Sequence, residues 1–229
     1  MTTFAIAGQK GGVGKSTVAL SLTAEWLARG RRVLLVDSDP QRTATTWGEV
    51  ALEQGRPVPT LVGMGATMWQ PDQLPRLAAG FDVVIVDTPP RLGDIQRAAL
   101  MVADVVVLPC GPSAHDCWAL AEGLELVHQA QTLRPNLLAS VLLTRKVAGT
   151  VIGRDARNVL TGTGLPVLLS ELGYRTDYQE ASQAGQGAST YRPSSAAAAE
   201  IRALATELET FAELPTASPP ANGQPRLHA

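Results

Sequence analysis

Three short stretches carry most of the chemistry. The first reads GQKGGVGKST over positions 8–17, with Gly11, Gly12 and Gly14 between Lys10 and Lys15 and the pair Ser16 and Thr17 behind them. So much bare backbone neither favours a helix nor fills a core. It suits a loop whose amides converge on phosphate oxygens, with no Cβ in the way and left-handed backbone permitted. In that chemistry Lys15 brings a point charge to the β- and γ-phosphates and the Ser16 hydroxyl is a Mg²⁺ ligand. The helix that follows adds its positive end. The general phosphate-loop pattern G-x-x-x-x-G-K-[ST] is missed by one position, because Gln9 stands where the first glycine belongs. The variant K-G-G-x-G-K-[ST] is met in full by residues 10–16. Gly11, Gly12, Val13, Gly14, Lys15, Ser16 and Thr17 are therefore the expected nucleotide-binding residues.

The second stretch, VLLVDSDPQ over 33–41, places Asp37 and Asp39 at the end of an apolar run. The third, FDVVIVDTPP over 81–90, ends its apolar run on Asp87. A carboxylate at a strand end beside a phosphate loop holds Mg²⁺ through water, and residues 88–90 would begin a segment that senses the γ-phosphate.

Such residues need a frame, and the rest of the chain supplies one. Apolar runs at 3–8, 31–39, 81–90, 104–110, 137–145 and 165–170 alternate with helix-like stretches, among them 93–103, 113–133 and 151–161. Strands that are apolar on both faces, with helices between, predict a three-layer α/β/α domain around a mostly parallel sheet. Its carboxyl edge is where such sheets bind ligands. The pattern weakens over 55–80, where one short strand and a turn of helix are expected. A closing helix over 194–214 puts Ile201, Leu204, Leu208 and Phe211 on one face. The division is thus a phosphate-loop domain over 1–213 and a Pro-rich tail over 214–229 that is expected to be disordered.

Composition narrows the function. With 229 residues, 45% of them hydrophobic, the chain can bury a sizeable core. A net charge of −2 excludes a generally basic nucleic-acid binder, so any DNA contact needs a local patch. Cys110 and Cys117 are too few for a disulfide framework. The start MTTFAIAGQ lacks the pattern of a signal peptide, and no apolar run approaches the roughly 20 residues of a membrane span. A cytoplasmic protein is expected.

KGGVGKST, VLLVDSDPQ and FDVVIVDTPP together resemble the ParA/MinD group of P-loop ATPases, the deviant Walker-A family, over about residues 1–212. The resemblance implies that Lys10 is a signature lysine reaching across a dimer interface to ATP held by the partner protomer. It implies catalytic roles for Lys10, Lys15 and Asp39, with Asp39 positioning the attacking water. It leaves Asp37 either structural or behind the Mg²⁺ site. Arg175, Tyr178 and Glu180 resemble an R-x-x-Y-x-E cadence on the adenine and interface side of small plasmid-type members. The implied activity is slow, partner-stimulated hydrolysis of ATP to ADP and phosphate, with ATP and Mg²⁺ as cofactors. The implied partners are a second copy of the chain, non-specific DNA of the nucleoid, and a ParB-like or adaptor protein, the cargo being a replicon or a protein complex such as a carboxysome or chemoreceptor cluster. Candidate basic residues for DNA are Arg145, Lys146, Arg154, Arg157, Arg175, Arg192 and Arg202. Two alternatives stand beside this: a MinD-like ATPase docked on membrane through its closing helix, and an iron–sulfur or metal carrier using Cys110 and Cys117.

Overall fold

In a computed structural model, residues 1–91 and 93–213 are described; the expected tail at 214–229 lies outside them. Seven strands are present: β1 (Thr2–Ile6), β2 (Val33–Asp37), β3 (Thr60–Gly63), β4 (Val83–Asp87), β5 (Val105–Cys110), β6 (Leu138–Lys146) and β7 (Val167–Gly173). They form one sheet in the order β3-β2-β4-β1-β5-β6-β7, with every pairing parallel. The helices between them are α1 (Lys15–Ala28), α2 (Thr43–Glu53), α3 (Leu74–Ala78), α4 (Asp94–Val102), α5 (Ala114–Leu133) and α6 (Val151–Thr161). After β7 come α7 (Thr176–Gln183), α8 (Ala188–Tyr191) and α9 (Ala196–Glu213).

Strand alternation divides the core in two. Phe4, Ile6, Leu35 and Ile85 point to one face and pack against α1, α2 and α7 to α9. Ala5, Leu34, Val84 and Val106 point to the other, beneath α3 to α6. The period of two in a strand makes this split inevitable once both faces are covered. The helix α1 is buried nearly all round, from Val18 to Trp26, because the sheet lies on one side of it and α8 and α9 on the other. Trp26 stacks on Phe4 at 4.9 Å and donates its indole N–H to Glu209 Oε1 at 3.0 Å, tying α1 to α9.

The weak stretch over 55–80 resolves into β3 and α3, as expected. The last strand differs from the sequence reading. It was expected at 165–170 but runs over Val167–Gly173. As an edge strand it is half exposed, so Ser170 and Glu171 sit in it without forming an apolar run. Its pairing with β6 also shifts register twice, which hides the alternation. Beyond it lies α7, in which Tyr178 is buried.

The end of α7 presses on α2. Gly185 has φ +62°, and a Cβ there would lie 2.5 Å from the Ala51 amide nitrogen. Trp47 secures the same contact by donating to the Gln186 carbonyl at 3.1 Å. Gly185→Ala is expected to destabilise the fold by roughly 1–3 kcal/mol through strain and overpacking. A urea midpoint equal to that of the native chain would contradict so tight an approach.

Candidate nucleotide site

Parallel register sets the foundation of the site. Ile6 of β1 is level with Asp87 of β4, and Asp87 is level with Asp37 of β2. The glycine run leaves β1, the middle strand of the sheet, at one end of that row. Gly12 and Gly14 have φ of 72° and 102°, left-handed values that L side chains rarely adopt, and a Cβ on either would meet nothing within 4 Å. Gly14 then caps α1, and Lys15 is its first residue.

The loop's carbonyls are tied outward. Thr144 Oγ1 donates to the Val13 carbonyl at 2.9 Å and Arg145 Nη1 to that of Gly12 at 3.0 Å. Gln96 Nε2 donates to the Gly8 carbonyl at 3.2 Å, and Lys15 Nζ to that of Lys10 at 3.0 Å. Among the described residues, the amides of residues 11–17 find no acceptor in the chain. A ring of free amides at a helix N-terminus is an anion cradle. Lys15 is buried at its floor. Burial lowers its ammonium from the ordinary range, while Asp87 and Asp39 work in the opposite direction.

Asp87 is fully buried, and neither carboxylate oxygen has a hydrogen-bond partner of ordinary geometry among the described residues. Its backbone is pinned instead, with the Asp87 carbonyl accepting from Ser38 Oγ at 2.6 Å. Burial pushes the Asp87 carboxyl up to about 7, and Asp37 and Asp39 add to the rise, while the adjacent Ser16 hydroxyl and Lys15 oppose it. An orphaned buried carboxylate beside a serine hydroxyl fits a hard cation and its water shell. Asp39 stands at the mouth, half exposed, with one oxygen accepting from the Gln41 amide at 2.9 Å.

Asp37 resolves toward structure. Its Oδ2 accepts from the Thr45 amide and hydroxyl at 2.8 and 2.7 Å, and its Oδ1 from the Asp39 amide at 3.2 Å. It thereby holds the first turn of α2 and the turn that carries Asp39.

Lys10 sits at the rim with its side chain 38% exposed. Its Nζ lies 2.6 Å from Oδ1 of Asp116, a residue only 6% exposed in the first turn of α5. Sequence reasoning named Lys10 and missed Asp116. The only signal available was that a Ser113-x-x-Asp116 capping pattern precedes an amphipathic run.

The sixth strand and α7 enclose a cleft beside the loop, lined by Gly12, Gly14, Thr17, Arg145, Tyr174 and Tyr178. Arg145 lies over the Tyr174 ring at 5.9 Å. Arg175 and Tyr178, but not Glu180, join this cleft. Both are anchored to Glu200 of α9, Arg175 at 2.6 Å and the Tyr178 hydroxyl at 2.7 Å. Glu180 pairs with Arg192 at 3.1 Å instead.

The remaining candidates separate. Lys146 and Arg157 both pair with Glu171, Arg175 with Glu200, and Arg192 also with Asp177. Arg202 donates to the Pro193 carbonyl at 2.6 Å. Arg154 is exposed on α6. Among the described residues no group of three or more His, Cys, Asp or Glu stands where it could hold a metal ion. Burial pushes the Cys110 thiol well above its usual range, with Cys117 and Asp116 adding to the rise, which opposes the thiolate that a cluster ligand must be. Among the described residues no helix is long and apolar enough to cross a membrane. The apolar face of α9 is spent on the core, with Ile201, Leu204 and Leu208 fully buried.

The titration of Asp87 yields a signed expectation. An acid raised in the folded chain binds its proton more tightly there than in the unfolded chain. Its contribution to stability is greatest below about pH 4 and declines as pH rises to about 7. Without Mg²⁺ at pH 8, Asp87→Asn should therefore be more stable than the native chain, by an amount on the order of a few kcal/mol. The gap should close as pH falls. Urea titrations at pH 8 and pH 5 in EDTA measure it; a variant less stable than the native chain at pH 8 would show that the carboxylate is already paired.

Comparison with known proteins agrees with this geometry. The family described as CbiA, the CobQ/CobB/MinD/ParA nucleotide binding domain, matches residues 4–188. The chain is 35% identical over 217 residues to the maintenance of carboxysome distribution protein A of Gloeobacter kilaueensis, covering 90% of this chain and 93% of that protein. It is 30% identical over 233 residues to the chromosome-partitioning ATPase Soj of Thermus thermophilus, covering 89% and 94%. The ATP complex of a Cyanothece McdA variant superposes with a TM-score of 0.75 at 19% identity, over 91% of this chain and 96% of that one, which speaks to the fold. A glycine cradle of free amides, a buried lysine beneath it and an orphaned carboxylate beside it are thus the site of a chain that belongs to the CobQ/CobB/MinD/ParA nucleotide-binding family.

Proposed function

We propose that this protein is a ParA-like ATPase that dimerises on ATP, rides non-specific DNA of the nucleoid, and leaves it when a partner protein stimulates hydrolysis, so that a cargo is segregated or positioned. The observation that carries the reading is the pair of lysines on one loop. Lys15 is buried under the cradle, whereas Lys10 stands at the rim, its side chain 38% exposed and its ammonium on Asp116 of α5 rather than beneath the cradle. One chain needs a single lysine for its own phosphates. A second at the rim suits the phosphates of a facing protomer, whose negative charge would otherwise oppose association.

Within this reading residues 11–17 cradle the phosphates and the Lys15 ammonium neutralises them. Ser16 would hold Mg²⁺ directly and Asp87 would hold it through water, and the ion when bound would supply positive charge against the phosphates. Asp39, half exposed at the mouth, has one carboxylate oxygen available to orient the attacking water. The cleft between Arg145, Tyr174 and Tyr178 takes the base.

Most of the basic residues near that edge are neutralised within the chain. DNA binding by the dimer is accordingly expected to be weak per protomer and to fall steeply with salt. The relatives position a carboxysome or partition a chromosome by name, and the cargo here is of that general kind. A MinD-like membrane reading is disfavoured by the buried face of α9, and a metal-carrier reading by the burial of Cys110.

Mobility shift on non-specific duplex DNA tests the proposal. Retardation is expected with ATP, not with ADP, and is expected to be lost in Lys10→Ala. An ATP-dependent dimer that never shifts DNA at low salt would sink the nucleoid reading and send the membrane reading to liposome sedimentation. Asp39→Ala should retain ATP-dependent dimerisation while hydrolysis falls about 10²-fold or more, measured as phosphate release. Hydrolysis at the native rate would remove Asp39 from the mechanism.

A further inference from the structure

Pro89 and Pro90 interrupt the contact between the start of the glycine loop and the segment that follows Asp87. The outer bonds of that contact come from Thr88 and Arg91. The Ile6 carbonyl accepts from Thr88 Oγ1 at 2.9 Å and from the Thr88 amide at 3.4 Å, and the Gln9 carbonyl accepts from the Arg91 amide at 2.9 Å. Between these points the segment has nothing to donate, because a proline has no N–H. The carbonyls of Gly8 and Pro89 therefore converge as two acceptors and need a donor from elsewhere.

Gln96 is that donor. It lies in the first turn of α4 and is only 2% exposed. Its Nε2 donates to the Pro89 carbonyl at 2.8 Å and to the Gly8 carbonyl at 3.2 Å. Both neighbours can only accept, so the amide nitrogen with its two hydrogens is the end that faces them. The helix that carries it is held at its far end, where Arg134 Nη1 donates to the carbonyls of Leu100, Met101 and Ala103. Ala98, Ala99 and Leu100 are buried in the core. One amide on an anchored helix thus sets the spacing between Gly8 and Pro89. An apolar side chain of the same length would leave the two carbonyls without a donor, and they would move apart.

That spacing bears on Asp87. Among the described residues its carboxylate has no hydrogen-bond partner of ordinary geometry, so its aim is set by the backbone on either side of it. On one side the strand pairing fixes it, level with Ile6 and Asp37. On the other the chain is held by Thr88 and then by Gln96. We propose that Gln96 is a positioning residue for Mg²⁺: by clamping Pro89 to Gly8 it keeps the Asp87 carboxylate aimed at the ion. This rests on the reading above in which Ser16 and Asp87 hold the ion, and it is independent of dimerisation and of DNA. Both hydrogens of the Gln96 amide are spent on carbonyls, so its effect passes through the backbone that it clamps.

The test is calorimetric titration of the full chain with ADP, once in Mg²⁺ and once in EDTA. ADP is the probe because it does not call for the proposed dimer. The readout is the ratio of the two dissociation constants, EDTA over Mg²⁺. Gln96→Met keeps the length of the side chain and loses both donors. Its ratio is expected to fall about tenfold, the scale usual for a residue behind a metal ligand, while ADP binding in EDTA stays within about twofold of the native chain. A merely structural role predicts equal weakening in both conditions, and an unchanged ratio overturns the proposal. The effect should vanish in an Asp87→Asn background, because it acts through that carboxylate. A further fall of the same size there overturns the proposal too. Gln96→Asn is the second variant should the methionine chain fail to fold. Its amide sits on a stem one carbon shorter, which cannot span both carbonyls, so its ratio should also fall; a native ratio would overturn the clamp. A native chain that binds ADP equally well with and without Mg²⁺ overturns the metal reading of the site itself, and the clamp with it.

Discussion

A phosphate cradle has to keep its amides free in a protein that satisfies nearly all of its other backbone groups. Here the conflict is settled by tying the loop's carbonyls and leaving its N–H groups alone. Thr144, Arg145, Gln96 and Lys15 each take one carbonyl, and they come from β6, α4 and the loop itself. The loop is rigid because distant elements grip it, not because its sequence has an intrinsic shape. Glycines at 12 and 14 make the left-handed turns possible, and the surrounding fold selects them.

The same arrangement concentrates unpaired charge at the carboxyl edge of the sheet. Among the described residues Asp87 is buried without a hydrogen-bond partner of ordinary geometry, and Lys15 is buried beneath free amides. Each is costly alone. A nucleotide with a metal ion would supply counterparts to both at once, and its binding would then stabilise the fold. Asp37, level with Asp87 in the sheet, escapes this because Thr45 and the Asp39 amide satisfy it. Two carboxylates at the same height therefore differ in role through their hydrogen bonds alone.

The rim obeys different rules. Lys10 has a buried counter-ion within the chain, and most of the arginines and the lysine on the β6–α7 side are paired with Glu171, Glu200, Asp177 or Glu180. In the proposed function, contacts of these paired residues with a second protomer or with DNA would be made by exchanging existing ion pairs. Such exchanges are sensitive to salt and to nucleotide, which suits association that has to be reversible.

Much was legible from the chain alone. The loop, the two acid-terminated strands and the alternation of strands and helices are contiguous features. Local sterics and periodicity make them readable without a partner in space. Lys15 and Ser16 could be named because a phosphate loop dictates residue types at fixed spacing, Asp87 because it ends an apolar run, and Lys10 by resemblance. Asp39 was named by resemblance alone, as the residue that would position the attacking water. What tertiary structure decided is what depends on residues distant in sequence. Lys10 and Asp116 are 106 positions apart. Thr144 grips Val13 from 131 positions away, and Arg175 and Tyr178 are held at the cleft beside the loop by Glu200 of α9. The same holds for the ends of β7, where an irregular register on a half-exposed edge erased the apolar pattern. Spacing along a chain encodes the backbone a ligand needs. The partner of each charge is chosen only when the sheet brings its strand ends and the helix starts beyond them to one edge.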